Sequence, residues 1–230
     1  MPAPLYTSEN CRIAYQLHWS LTLFAKTALP PAEVWQPALE AAIESDGVRL
    51  LEYCESDPTN AQFFLSTKPE VSPSEVVRSV KGRLQYQLRA SIPQLWQRHY
   101  SITSVGDTNH SVLQGYVAKQ IEHHQVADPR AVEVLSQSQF NDVKVDLNRE
   151  CTSSYGKFTN NLHVVLENAE RLAEIRPEVF AASQKMLVGV CQKKEWRLSR
   201  VAFLPNHLHL LVGCGVTDKP CDVVFSIMNN

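Results

Sequence analysis

Three features of the 230-residue sequence predict an α+β fold with antiparallel sheets. Short segments dense in apolar and β-branched residues alternate with longer amphipathic ones of helical length. Proline, serine and asparagine clusters separate them at turn spacing. The same order of segments then returns in the second half of the chain. An apolar content of 44% with only 8 Gly and 13 Pro suits a packed core and excludes a collagenous, low-complexity or largely disordered chain.

The first strand is expected in Tyr15–Phe24, ended by Pro30-Pro31, and a helix follows from about Glu33 to Glu44. Val48–Cys54 and Ala61–Ser66 read as a hairpin whose turn lies in Ser56-Asp-Pro-Thr-Asn60. Ser72-Pro-Ser-Glu75 has the form of a capping box with proline at the first helical position. It opens a helix carrying Val76, Val77, Val80, Leu84 and Leu88. A strand from His99 to Ser104 leads into a helix from Asn109 to His123, on which Tyr116 and Gln120, four residues apart, share a face. Gln125–Lys157 is polar and weakly periodic, as expected for a connector with one short helix.

Beyond the connector the order recurs, with a strand at Asn161–Leu166, a helix at Pro177–Lys193 and strands at Trp196–Phe203 and His207–Gly213. At an offset of 147, Pro58, Pro73, Val76, Val77 and Ser79 meet Pro205, Pro220, Val223, Val224 and Ser226. His18 falls near His163 at an offset of 145, which suggests a shared packing role in the first strand of each copy. The expected division is a first unit over 11–124, a linker over 125–157 and a second unit over 158–230 that lacks the counterpart of the Tyr116 helix.

The six cysteines lie far apart without a C-x-x-C pair, so they read as buried reduced thiols. No run approaches 18 apolar residues and no basic, then apolar, leader opens the chain, so the expectation is a cytoplasmic protein with no membrane partner. A net charge of −2 argues against indiscriminate coating of nucleic acid. Locally, Arg78, Lys81, Arg83, Arg89, Arg98 and Lys119 face only Asp107 between Val76 and Ile121. Arg78, Lys81, Arg83 and Lys119 are therefore candidate DNA contacts.

Leu204-Pro-Asn-His-Leu-His-Leu-Leu-Val-Gly213 places His207 and His209 at i and i+2 of an apolar strand. Both imidazoles then face one side, away from Leu208 and Leu210, and form a two-nitrogen bite for a divalent metal. His110 and the adjacent pair His123-His124 read as solvent-facing instead.

This stretch resembles the histidine–hydrophobic–histidine (HUH) motif of the single-tyrosine transposases of the insertion-sequence 200-like group, which includes the REP-associated tyrosine transposases. Ser72–Gly82, Leu95-Trp96, Thr103–Gly106 and Tyr116-Val-Ala-Lys-Gln120 are similar to other parts of that family. The resemblance implies two ferredoxin-like (RRM-like) units, with Tyr116 as nucleophile toward a single-stranded or hairpin DNA phosphodiester. It also implies that His207, His209 and Gln120 hold Mg²⁺ or Mn²⁺, and that the product is a 5′-phosphotyrosine.

The sequence departs from the family pattern in complementary ways. Asn60-Ala-Gln62 replaces the His pair of the first copy, and the second copy has no tyrosine. The expectation is a composite site in an intramolecular pseudo-dimer or homodimer, joining Tyr116 and Gln120 to His207 and His209. The alternative is a catalytically inactive DNA-binding remnant that uses the basic residues with Tyr86 and Trp96.

Overall fold

Alternation decides the first strand. In β1 (His18–Ala25) Trp19, Leu21, Leu23 and Ala25 are buried and the residues between them are not. A strand with one apolar face needs a cover. α1 (Ala32–Glu44) supplies Trp35, Leu39 and Ile43, and α2 (Pro73–Leu88) supplies Val76, Val80 and Leu84. The computed structural model describes residues 3–106, 110–120, 129–168, 170 and 172–230, and its contacts divide the chain into two compact units.

Unit 1 comprises Met1–Gly106, Glu150–Asn160 and Val216–Val223. Its first six elements run β1, α1, β2 (Val48–Asp57), β3 (Asn60–Thr67), α2 and β4 (Trp96–Val105). The strands lie in the order β2-β3-β1-β4, every pair antiparallel. The hairpin, its turn and the capping box at Ser72 form as the sequence leads one to expect. Ser72 Oγ accepts from the Glu75 amide, and Glu75 Oε2 accepts from the Ser72 amide at 2.8 Å. A buried polar bond, Trp19 Nε1–H to Thr67 Oγ1 at 2.9 Å, satisfies the indole at no cost to the apolar face.

The segment read as a linker does more than connect. Part of it forms β6 (Cys151–Thr152) and β7 (Gly156–Thr159), and β7 extends the unit 1 sheet by pairing parallel to β4. The close approach depends on Gly156, where a Cβ would sit 2.4 Å from the Tyr100 carbonyl oxygen. Another part forms α4 (Pro129–Gln137) and β5 (Phe140–Asn141) of the other unit.

Unit 2 comprises Asp107–Arg149, Asn161–Gly215 and Val224–Asn230. The division thus does not follow the halves of the chain, because the segment with Tyr116 is counted with the second half. The expected boundary at 124/125 lies outside the described residues. Its sheet is ordered β5-β9-β10-β8, with β8 (Asn161–Glu167), β9 (Arg197–Phe203) and β10 (His207–Gly213).

Strand parity gives this sheet two faces. Leu208 and Leu210 lie opposite Phe203 and Val201, on the side where α5 (Pro177–Lys193) packs and Phe180 meets Phe203 at 5.4 Å. His209 and Leu211 lie opposite Ala202 and Arg200 on the other face. There α3 (His110–Ala118) settles through Val117 and Leu113 onto Ala202, Leu211 and Leu147. α6 (Pro220–Met228) ends the chain, its first residues in unit 1 and its last in unit 2. Among the described residues no helix is long and apolar enough to cross a membrane.

Candidate active site

Central position in a sheet fixes the histidine pair. β10 is hydrogen-bonded on both sides, to β8 and β9, so its side chains project from a strand with no free edge. His209 is 6% exposed, and His207 is half-buried at the start of the strand. Their rings stand 5.0 Å apart, as the i, i+2 spacing requires.

Burial of Val117 turns the next residue back along α3 and brings Tyr116 over the histidine face. Its ring meets His209 edge-on at 6.1 Å and His163 edge-on at 6.5 Å. Tyr116 remains 46% exposed, so a substrate has access to its ring. Tyr116, His163, His207 and His209 therefore gather in unit 2 although they come from three distant parts of the sequence.

Gln120 lies just past the end of α3 and is 1% exposed. Its Nε2–H donates to the Tyr116 carbonyl at 3.1 Å, while its Oε1 is buried with no hydrogen-bond partner among the described residues. An orphaned carbonyl oxygen one helical turn from Tyr116 fits an oxygen ligand to a hard cation. Imidazole nitrogens and an amide oxygen are each able to bind a divalent cation. Among the described residues no group of three His, Cys, Asp or Glu side chains is placed to hold a metal.

His163 is the residue that reading the sequence for packing misses. Its Nε2 lies 3.0 Å from His209 Nδ1, and the two rings stack at 5.2 Å with planes 21° apart. Burial pushes the His163 imidazole below its usual pKa. At the start of the same strand, His207 Nδ1–H donates to Asn206 Oδ1 at 2.7 Å.

The equation of His18 with His163 does not survive the strand register. His209 pairs with Val165 and Leu211 with His163, whereas the equivalent Gln62 and Phe64 pair with Thr22 and Ser20. Ser20, not His18, is the counterpart of His163. His18 packs against Phe64 at 5.3 Å. A slip of two residues keeps a side chain on the same face, so the sequence offset conceals it.

The basic residues of α2 have partners within unit 1. Arg83 donates from Nη2 and Nε to the two carboxylate oxygens of Asp46, and this lowers the pKa of Asp46, with a further hydrogen bond from Ser79. Lys81 Nζ donates to the carbonyls of Gln97 and Arg98 at 2.7 and 3.1 Å, and its pKa is lowered by burial. Arg78 lies 3.8 Å from Glu75 and is well exposed, while Lys119 is exposed in unit 2.

Trp96 is 8% exposed and donates from Nε1 to the Lys81 carbonyl, so it offers no stacking surface, whereas Tyr86 is 63% exposed beneath Arg89. In unit 1 Gln62 Oε1 accepts from Cys54 Sγ at 3.2 Å, and Asn60 bonds to Asp57, so the positions of the missing histidines are engaged locally. His123, His124 and the side chain of His110 lie outside the described residues.

Comparison with known proteins gives one family. Residues 32–120 match the model of the family described as "Transposase IS200 like", a span that includes Asn60, Gln62, Tyr116 and Gln120 but not the histidine pair. Among solved structures, a candidate transposase from Deinococcus radiodurans R1 is similar at 19% identity and a TM-score of 0.38, over 50% of this chain and 98% of that one. No curated protein sequence matches. By that match, residues 32–120 of this chain are similar to the IS200-like transposases.

Proposed function

We propose that the chain is a transposase-like single-strand DNA endonuclease and strand transferase with one composite site in unit 2. The observation that carries this reading is the edge-on approach of Tyr116 to His209 at 6.1 Å. A nucleophile from the first half of the sequence thereby meets the only His-x-His pair in the chain. The βαββαβ connection order of unit 1 and the shorter recurrence in unit 2 support two ferredoxin-like units, a pseudo-dimer within one chain that acts on cytoplasmic DNA.

Tyr116 Oη attacks the phosphorus of a single-stranded or hairpin DNA phosphodiester. A P–O bond to tyrosine forms as the P–O3′ bond breaks. The phenolic proton passes to solvent, which reaches this exposed ring, and the departing O3′ takes a proton and leaves as a free hydroxyl. The 5′-phosphotyrosine keeps the bond energy for rejoining. A phenol with a reference pKa of about 10 is a weak nucleophile at neutral pH. His207, His209 and Gln120 would hold Mg²⁺ or Mn²⁺, which when bound polarises the phosphate and stabilises the leaving oxygen. Arg78 and Lys119, both exposed, are the proposed backbone contacts, while Lys81 and Arg83 must first leave their protein partners.

The test is a search for a covalent adduct by gel and mass spectrometry, with labelled hairpin DNA and Mn²⁺, in the natural chain and in Tyr116→Phe and His207→Ala. An adduct at Tyr116 that needs both residues supports the nuclease. Tight binding without an adduct, unaffected by chelation, leaves the inactive DNA-binding remnant.

A further inference from the structure

The role of His163 follows from three independent observations. The first is the 3.0 Å contact between His163 Nε2 and His209 Nδ1, with the rings stacked. Between two neutral imidazoles one nitrogen donates and the other accepts, so this contact selects a tautomer. The second is the neighbouring ligand. Asn206 Oδ1 can only accept, so His207 carries its proton on Nδ1 and its lone pair on Nε2. His209, if it ligates through the same nitrogen, carries its proton on Nδ1 as well.

The third is the comparison with unit 1. The positions equivalent to His207, His209 and His163 are Asn60, Gln62 and Ser20, so all three imidazoles are absent together. A residue that merely filled the sheet face would have no reason to follow the pair.

We propose that His163 is a positioning residue that accepts the Nδ1–H of His209 and so directs the His209 Nε2 lone pair toward a divalent cation. This rests on the metal-assisted reading above and deepens it. A ligating histidine commonly gives its second N–H to a fixed acceptor, usually a carboxylate or carbonyl, and losing that acceptor weakens metal binding. Here the acceptor is another imidazole. Its edge contact with Tyr116 adds that the same side chain helps limit where the nucleophile's ring stands.

The experiment uses the full chain in two measurements. Long-range ¹H–¹⁵N correlation of the histidine rings, without metal, reads the tautomer of His209, whose signals are identified by their loss in His209→Asn. Titration with Mn²⁺ followed by EPR reads the dissociation constant. His163→Ala removes the acceptor, and His163→Gln returns an amide oxygen near the position of Nε2.

The expected result is Nδ1–H at His209 in the natural chain and in His163→Gln, with a shift toward Nε2–H in His163→Ala. Mn²⁺ affinity is expected to fall about 10- to 100-fold in His163→Ala and to recover at least partly in His163→Gln. Nε2–H at His209 in the natural chain, or unchanged tautomer and affinity in His163→Ala, overturns the proposal. A natural chain that takes up no Mn²⁺ overturns the metal site itself, and the tautomer signal then still decides whether His163 orients His209.

Discussion

The β2–β3 hairpin of unit 1 and the β9–β10 hairpin of unit 2 place equivalent residues on equivalent strands, yet only the second carries the histidine pair. Asn60 and Gln62 stand where His207 and His209 stand, and each has turned to a local partner, Asp57 and Cys54. Around the histidines the partners are different in kind. Asn206 and His163 bond the ring nitrogens, and Tyr116 faces the rings edge-on. The lesson is that the same hairpin geometry surrounds the histidine pair with ring-nitrogen partners and its unit 1 counterpart with local ones.

The largest expected effect tests whether that support includes a nucleophile. Tyr116→Phe keeps the ring and its edge contacts but is expected to lower the yield of covalent DNA adduct by on the order of 10⁴-fold or more, the scale seen when a covalent nucleophile is removed. A gel assay with labelled hairpin DNA reads it directly, and an undiminished adduct would move the chemistry away from Tyr116.

The next test rebuilds the poorer hairpin. Asn60→His with Gln62→His is expected to create a weak Mn²⁺ site in unit 1, and Ser20→His on that background to tighten it about 10- to 100-fold by supplying the acceptor. EPR titration in a His207→Ala, His209→Ala background isolates the new site. No gain on adding Ser20→His would show that the third histidine is incidental.

Smaller effects bear on what holds the two units. Ser72→Ala removes the capping box of α2 and is expected to cost about 1 kcal/mol, read as a lower urea midpoint. α5 has no side-chain cap at Arg176, so Arg176→Ala is expected to cost less than Ser72→Ala in the same assay.

The smallest effect is a pH dependence. Asp46 has its pKa held below 3.8, first by hydrogen bonds from Arg83 and then by Ser79. A depressed carboxyl pKa means stability that is present above pH 3.8 and lost as pH falls through the folded-state value. Asp46→Asn should therefore lower thermal stability at neutral pH and flatten its decline below pH 3.8. Melting curves across pH 2–7 that stay parallel for the two proteins would remove Asp46 from the account.

Local signals made most elements legible. Proline at 73, 177 and 220 marks three helix starts, and period-two alternation gives β1 and β3 to within a few residues. The His-x-His pair and the Tyr116–Gln120 spacing were legible for the same reason, since both are fixed by the geometry of one element.

What stayed hidden depends on contacts between distant segments. Nothing near Tyr116 in sequence states that Val117 packs on Ala202 and Leu211, which is what places α3 in unit 2. His163 was hidden by parity, because its match with His18 preserves the face while misstating the row by two residues. Nor does the polar segment 125–157 advertise β7, whose pairing rests on one glycine that accommodates the backbone of Tyr100.

The two units are drawn from six alternating stretches of chain, and unit 2 takes its tyrosine helix and its histidine strand from stretches separated by a return through unit 1. On the ribosome the phenol emerges first and must wait for β8, β9 and then β10 before any imidazole pair exists beside it. A nascent chain arrested anywhere before His207 therefore carries Tyr116 without the imidazole pair that it faces in the folded protein. The order of synthesis thus completes the candidate site only with the strand that carries His207 and His209.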